Sequence, residues 1–241
     1  MSKPMTKRQP GYWRAAAAAF GDTRLLVFAG LIVALRVAVK FIKIPLAAGL
    51  SLSFDCYVNA LGSVVYGPLV GLAVGAVSDT LGCILAPTGP YFLPFILVEM
   101  GSSFLFGLFF WRQTPSVPRN RTAKFAVNLV CNIVLTSLFV KWSYLVFYGT
   151  EKAAGYAVIN LARIAKNLVL FPIESVLIAL LLGAALPVLR AHGLVQGQTA
   201  LRPRRRDLWL AGGLFLLSVG LVLFYVFFLK GFLAAHNVKW W

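Results

Sequence analysis

The feature that most constrains this chain is a series of apolar runs, each close to the length needed to cross a lipid bilayer and each bounded by charge. A bilayer core of about 30 Å takes roughly 20 apolar residues per helix. Every backbone polar group in lipid must be satisfied within the protein, so runs of that length read as helices. They fall at residues 25–41, 52–66, 69–85, 92–111, 125–147, 157–189 and 208–229. With 60% of its residues hydrophobic and only 12% charged, the chain needs lipid as its principal solvent. The expected fold is an all-α integral membrane bundle.

Charge supplies the orientation. The chain has 23 Lys and Arg against 7 Asp and Glu. A basic excess confined to loops marks membrane topology, and nucleic acid is excluded as a partner. Lys3, Lys7, Arg8, Arg14 and Arg24, then Arg112, Arg119, Arg121 and Lys124, then Arg190, Arg202, Arg204, Arg205 and Arg206 all fall on one side of the spans. The other side has Lys43, the uncharged stretch 86–91, and Glu151 with Lys152. Short basic loops resist translocation, so the N-terminus is expected in the cytoplasm of a multi-pass cell-membrane protein, with Trp240 and Trp241 at the outer interface. The basic start runs into a span too long for a signal-peptide core, and no cleaved leader is expected.

Several chemistries find no support. There is no GxxxxGK[ST] phosphate loop and no HExxH, and the two histidines, His192 and His236, lie outside the spans. Cys56, Cys83 and Cys131 form no CxxC pair and read as reduced structural thiols. No catalytic residue, metal ligand or cofactor site is expected, so energy for active transport must come from another polypeptide.

The first span spaces Gly30, Ala34 and Ala38 four residues apart, which stacks small side chains on one helical face. Such a face admits a second backbone, either in a partner or within this chain. Arg36 and Lys40 share the helix, and a charge at that depth is costly unless paired or directed to function. Between the third and fourth spans, 86–92 is a Pro/Gly-rich outer loop ending in Tyr91 and Phe92, either a pocket cover or a plain turn. In 160–174, Asn160, Arg163, Asn167 and Glu174 fall at helical spacing on one face. A polar stripe of this kind faces a ligand cavity or neighbouring polar groups; a cavity is the favoured reading, with Arg163 able to grip a carboxylate. Glu99, Asn128, Asn132 and Lys141, with Trp142 and Tyr144, add polar and stacking groups on the fourth and fifth spans.

Four segments together resemble the S components of energy-coupling-factor vitamin transporters, most closely the folate-type branch. They are the helix with Ala34 and Ala38; Tyr66-Gly67-Pro68 leading to Gly71, Gly75 and Asp79; Gly89-Pro90-Tyr91-Phe92 followed by Glu99; and Arg163-Ile-Ala-Lys166-Asn167 running into Phe171-Pro172-Ile-Glu174. The resemblance covers about 25–189. It implies a six-helix S-component-like bundle that binds a vitamin from outside. Its partners would be a transmembrane coupling subunit and two cytoplasmic ATPase subunits. It places the substrate among Tyr91, Phe92, Arg163 and Asn167, and the coupling subunit against Ala34 and Ala38; the residue reading adds Glu99, Asn132 and Lys166 to the expected substrate site. The basic segment 1–24 and the segment 190–241, a linker with an additional C-terminal transmembrane helix, depart from the pattern.

The leading expectation is therefore capture of folate, whose flat pterin suits aromatic stacking and whose glutamyl tail suits Arg163 or Lys166. Pantothenate, riboflavin or a queuosine precursor would make similar demands. A membrane-embedded lipid-modifying enzyme is the alternative of another class, opposed by the lack of a clustered acid/base set. A third is a structural or sensor subunit with no small ligand.

Overall fold

A computed structural model describes residues 11–47, 50–86, 92–113, 116–154 and 161–195, with four further single positions at 209, 213, 216 and 220. The expected C-terminal helix at 208–229 lies almost wholly outside the described residues. The elements, in order, are α1 (Tyr12–Ala18), α2 (Thr23–Lys40), β1 (Lys43–Ala47), β2 (Leu50–Ser53), α3 (Asp55–Leu85), α4 (Ile96–Phe110), α5 (Val117–Val127), a π-helical stretch (Asn128–Leu135), α6 (Thr136–Ala154) and α7 (Leu161–Ala191).

The second and third expected spans form one continuous helical element, α3, which nevertheless reverses direction. Ser63 Oγ donates to the Ser103 carbonyl at 3.3 Å. A Cβ on Gly71 would lie 3.1 Å from that same oxygen. Eight residues of straight helix cover about 12 Å, too far for both to meet one atom. The reversal is at Gly67, whose φ of 79° and ψ of −174° are non-helical, followed by Pro68, which has no N–H to continue the ladder. The two limbs pack on α4 with backbones almost touching: a Cβ on Gly107 would lie 2.5 Å from Pro68 Cα, and one on Gly75 2.7 Å from the Glu99 carbonyl. Among the described residues four helices are long and apolar enough to cross a membrane, Asp55–Leu85, Leu93–Phe110, Val117–Thr150 and Lys166–Ala191, or five if the bent pair Tyr12–Gly21 with Thr23–Lys40 is one span; the two limbs of α3 counted separately bring the helical segments to the six expected for 25–189.

The sequence reading needs correction in three places. Residues 52–53, placed at the start of the second span, are strand: β1 and β2 form an antiparallel hairpin pairing Lys43 with Ser53 and Ile44 with Leu52. The Leu50-Ser-Leu-Ser53 alternation has the strand period of two that a search for long apolar runs passes over. Lys124, counted among loop charges, is buried inside a helix. The segment 1–24 is more than a basic tail, since α1 seats Ala15 and Ala16 against Trp111 and Leu69. It lies 81° from α2, and Asp22 caps α2 by accepting from the Arg24 N–H at 2.9 Å.

The main core joins the first limb of α3 to α4, α5 and α7 through Val64, Phe106, Phe110, Ala123, Val127, Ile178, Leu182 and Leu186, while the second limb packs Val70 and Val74 with Ala29 and Ile32 of α2. Much of the remaining apolar surface faces outward, as lipid solvation requires: Val27, Leu31, Leu97, Phe125 and Leu180 are all exposed.

Gly67→Ala should lower the melting temperature in detergent more than Gly149→Ala does. Both glycines have positive φ, costing about 1–3 kcal/mol for another residue. Only at Gly67 would the new Cβ also meet the Trp111 ring, at 2.7 Å; nothing lies within 4 Å of the one at Gly149. Equal shifts would show that the Trp111 contact does not secure the turn.

Candidate functional site

Four of the seven acidic residues, Asp55, Asp79, Glu99 and Glu174, lie in the membrane helices, and each is matched to a cation. Arg36 is fully buried and grips Asp55 with both arms of its guanidinium, Nε to Oδ1 at 2.9 Å and Nη2 to Oδ2 at 2.8 Å. It also donates to Glu99 Oε2 and to Ser103 Oγ. Ser103 Oγ donates onward to Asn59 Oδ1, and Asn59 Nδ2 to Ser102 Oγ. This network draws α2, the start of α3 and α4 together where the β hairpin joins them. Lys40 lies 3.7 Å from Asp79 on the second limb of α3. Lys124 on α5 pairs with Glu174 on α7 at 2.8 Å.

Beside this ionic group stands a second one, built on three asparagines with Arg163 at its edge. Asn132 Nδ2 donates to Asn128 Oδ1 at 3.1 Å and to Asn167 Oδ1 at 3.2 Å. Asn128 Nδ2 reaches the Asn167 carbonyl, Asn167 Nδ2 donates to the Arg163 carbonyl at 2.9 Å, and Arg163 Nη1 donates to Ser137 Oγ at 3.2 Å. The π-helical winding over Asn128–Leu135 is accompanied by Thr136 Oγ1 donating to the Cys131 carbonyl five residues back. Such windings are uncommon and concentrate at functional positions. The two groups are neighbours: a Cβ on Gly101, two residues beyond Glu99, would lie 3.3 Å from Cys131 Sγ, which precedes Asn132.

The structure therefore brings Asn132, Arg163 and Asn167 into one hydrogen-bonded cluster, with Lys166 on the same stretch of α7. Glu99 belongs instead to the Arg36 network. Phe92 is buried in an aromatic group, its ring centroid 5.4 Å from Trp142, 5.8 Å from Phe95 and 6.0 Å from Phe147, and so ties the approach to α4 to α6. Tyr91 and Asn160 lie outside the described residues. Gly30, Ala34 and Ala38 are exposed, and a Cβ on Gly30 would meet nothing within 4 Å.

Sequence reasoning left Arg36 without a partner and missed Asp55, Asn59 and Ser103. The available signal was stoichiometric: acids this few, placed inside spans, each need a cation within reach. The Asn132–Asn167 pair joins helices 35 residues apart in sequence, and no local spacing encodes it.

Removing one partner of a buried ion pair costs about 3–5 kcal/mol, because the other charge stays uncompensated in low dielectric. Arg36→Gln should sharply reduce the yield of monodisperse protein. Adding Asp55→Asn should recover part of it, by relieving one orphaned carboxylate. Full yield from the single variant would remove this network from the fold's requirements.

Comparison with known proteins follows the same lines. A family model described as "ECF-type riboflavin transporter, S component" matches residues 21–187. The chain is 29% identical over 119 residues to a folate transporter FolT from Clostridium novyi, covering 49% of this chain and 64% of that relative, a little under two thirds. It is 27% identical over 154 residues to a folate transporter FolT from Leuconostoc mesenteroides, covering 64% of this chain and 81% of the relative. A crystal structure of FolT bound with folic acid superposes with a TM-score of 0.55 at 25% identity, covering 65% of this chain and 91% of that one.

Proposed function

This chain belongs to the S components of energy-coupling-factor transporters, and from that premise we propose that it captures folate at the outer membrane face for ATP-driven import by partner subunits. The family is one of transport subunits, which sets aside the lipid-modifying enzyme. It implies a vitamin substrate and energy-coupling partners. In our reading the partners are one transmembrane coupling subunit and two cytoplasmic ATPases, and the basic N-terminus faces the cytoplasm.

The observation that carries the folate reading is the cluster of Asn132 and Asn167 beside Arg163. A pterin edge alternates hydrogen-bond donors and acceptors, and each carboxamide offers both. The glutamyl tail presents carboxylates, for which Arg163 and Lys166 supply positive charge. Riboflavin and a queuosine precursor carry flat rings but no carboxylate, and pantothenate has a carboxylate but no ring. Folate alone among these uses both halves of the cluster. Phe92 contributes by holding the approach to α4 against Trp142 and Phe147. Tyr91, the residue before it, is proposed to stack on the ring. Glu99 is assigned to shaping the site through Arg36 in place of direct ligand contact.

For coupling, the exposed face of α2 carrying Ala34 and Ala38 is the proposed contact. It turns away from the interior, whereas Arg36 on the same helix turns inward.

Isothermal titration of the purified protein with folate and with riboflavin tests the assignment: folate should bind and riboflavin should not. Arg163→Ala should weaken folate binding about tenfold or more without unfolding the protein, since it removes a charge-assisted contact to the ligand. Unaltered affinity would take Arg163 out of the site.

Ala34→Trp should abolish folate uptake by the assembled transporter and leave binding intact, because the added bulk blocks close helix approach without touching a pocket wall. Joint loss of uptake and binding would show that the face packs within this chain.

A further inference from the structure

The three asparagines of the second cluster are not equivalent. Asn128 is buried, only 4% exposed, whereas Asn132 and Asn167 are partly exposed. A carboxamide can turn end over end, because its terminal torsion is broad and nearly two-fold. Its two ends offer a ligand opposite chemistry, an acceptor oxygen or a pair of donors.

Two backbone carbonyls, which can only accept, fix the sense of all three amides. Asn167 Nδ2 donates to the Arg163 carbonyl at 2.9 Å, so Asn167 Oδ1 is the end that faces Asn132. Asn128 Nδ2 reaches the Asn167 carbonyl at 3.5 Å, so Asn128 Oδ1 is the end that faces Asn132. Asn132 therefore meets two acceptors, and both of its N–H groups are committed to them, at 3.1 and 3.2 Å. Its Oδ1 is the end left over, and turning the amide round would set that oxygen against two others. The bond from Asn132 to Asn128 runs four residues back within one helical stretch, so holding one helix to another is not what it supplies.

We infer that Asn128 is a positioning residue of the binding site: it holds the Asn132 carboxamide with its oxygen toward the ligand, and so selects a ligand that brings an N–H donor to that point. The inference rests on the folate reading, and a pterin has such donors in its amino group and its ring N–H. A ligand that brought an acceptor there would leave two oxygens opposed and unpaired. Without Asn128, the Asn132 amide keeps one of its two partners and is free to turn.

A double-mutant cycle on folate affinity tests this, by isothermal titration of purified full-length protein at concentrations raised for the weak binders. Asn128→Leu, close to isosteric, should weaken binding about tenfold in the parent and less than about twofold in an Asn132→Ala background, where no amide is left to aim. Asn128→Ser, whose shorter side chain withdraws the acceptor, should follow the same pattern and replaces the leucine variant if that one folds poorly. Equal losses in both backgrounds, the result expected of a packing role alone, would overturn the inference. So would undiminished affinity in Asn132→Ala or in the Asn128 variants. A parent that binds no folate would overturn the folate reading itself, and this inference with it.

Discussion

Arg36 holds a formal charge, fully buried, at the base of the β hairpin, and this part of the bundle is organised around that problem. A guanidinium there is tolerable only when its donors are filled. Asp55 takes two, Glu99 one and Ser103 one, so that α2, the start of α3 and α4 meet at a single side chain. Asp55 directly follows the hairpin, and its bidentate hold therefore also closes the base of the segment that links α2 to α3. The Lys124–Glu174 pair ties α5 to α7 in the same way.

Small residues complete the arrangement where there is no charge. Helices in lipid gain little from hydrophobic association and rely on close packing and hydrogen bonds instead. Gly71, Gly75 and Gly107 bring α3 and α4 within backbone distance, and Ser63, Asn59, Ser102 and Ser103 bridge them. The same pairing lets α3 turn back on itself at Gly67 with both limbs held against α4.

The α2 helix presents two different surfaces. Its inward side carries Arg36 into the ionic network beneath the hairpin, and its outward side carries Gly30, Ala34 and Ala38 with nothing packed on Gly30. A partner pressing on the outer side acts on a helix that is bonded through Asp55 to the chain leading into the hairpin. The proposed coupling face and the Arg36 network therefore share one helix.

The apolar runs by themselves determined that this is a helical membrane protein, because lipid leaves few ways to satisfy a backbone and run length identifies the helical one. The four segments around Ala34, Gly67, Tyr91 and Arg163 carried the family, and the helical spacing of Arg163 and Asn167 placed both on one face. Other features depended on tertiary contact. The partners of Arg36 are 19 and 63 residues away, and those of Asn132 include a residue 35 away, distances at which local periodicity has no reach. Lys124 read as a loop charge because a buried lysine differs from an exposed one only by the Glu174 that meets it. The resemblance places Phe92 at the substrate site, and its packing against Trp142 and Phe147 is visible only once α6 meets the start of α4. Sequence encodes which residues need a partner; which partner each receives is decided when the helices come together.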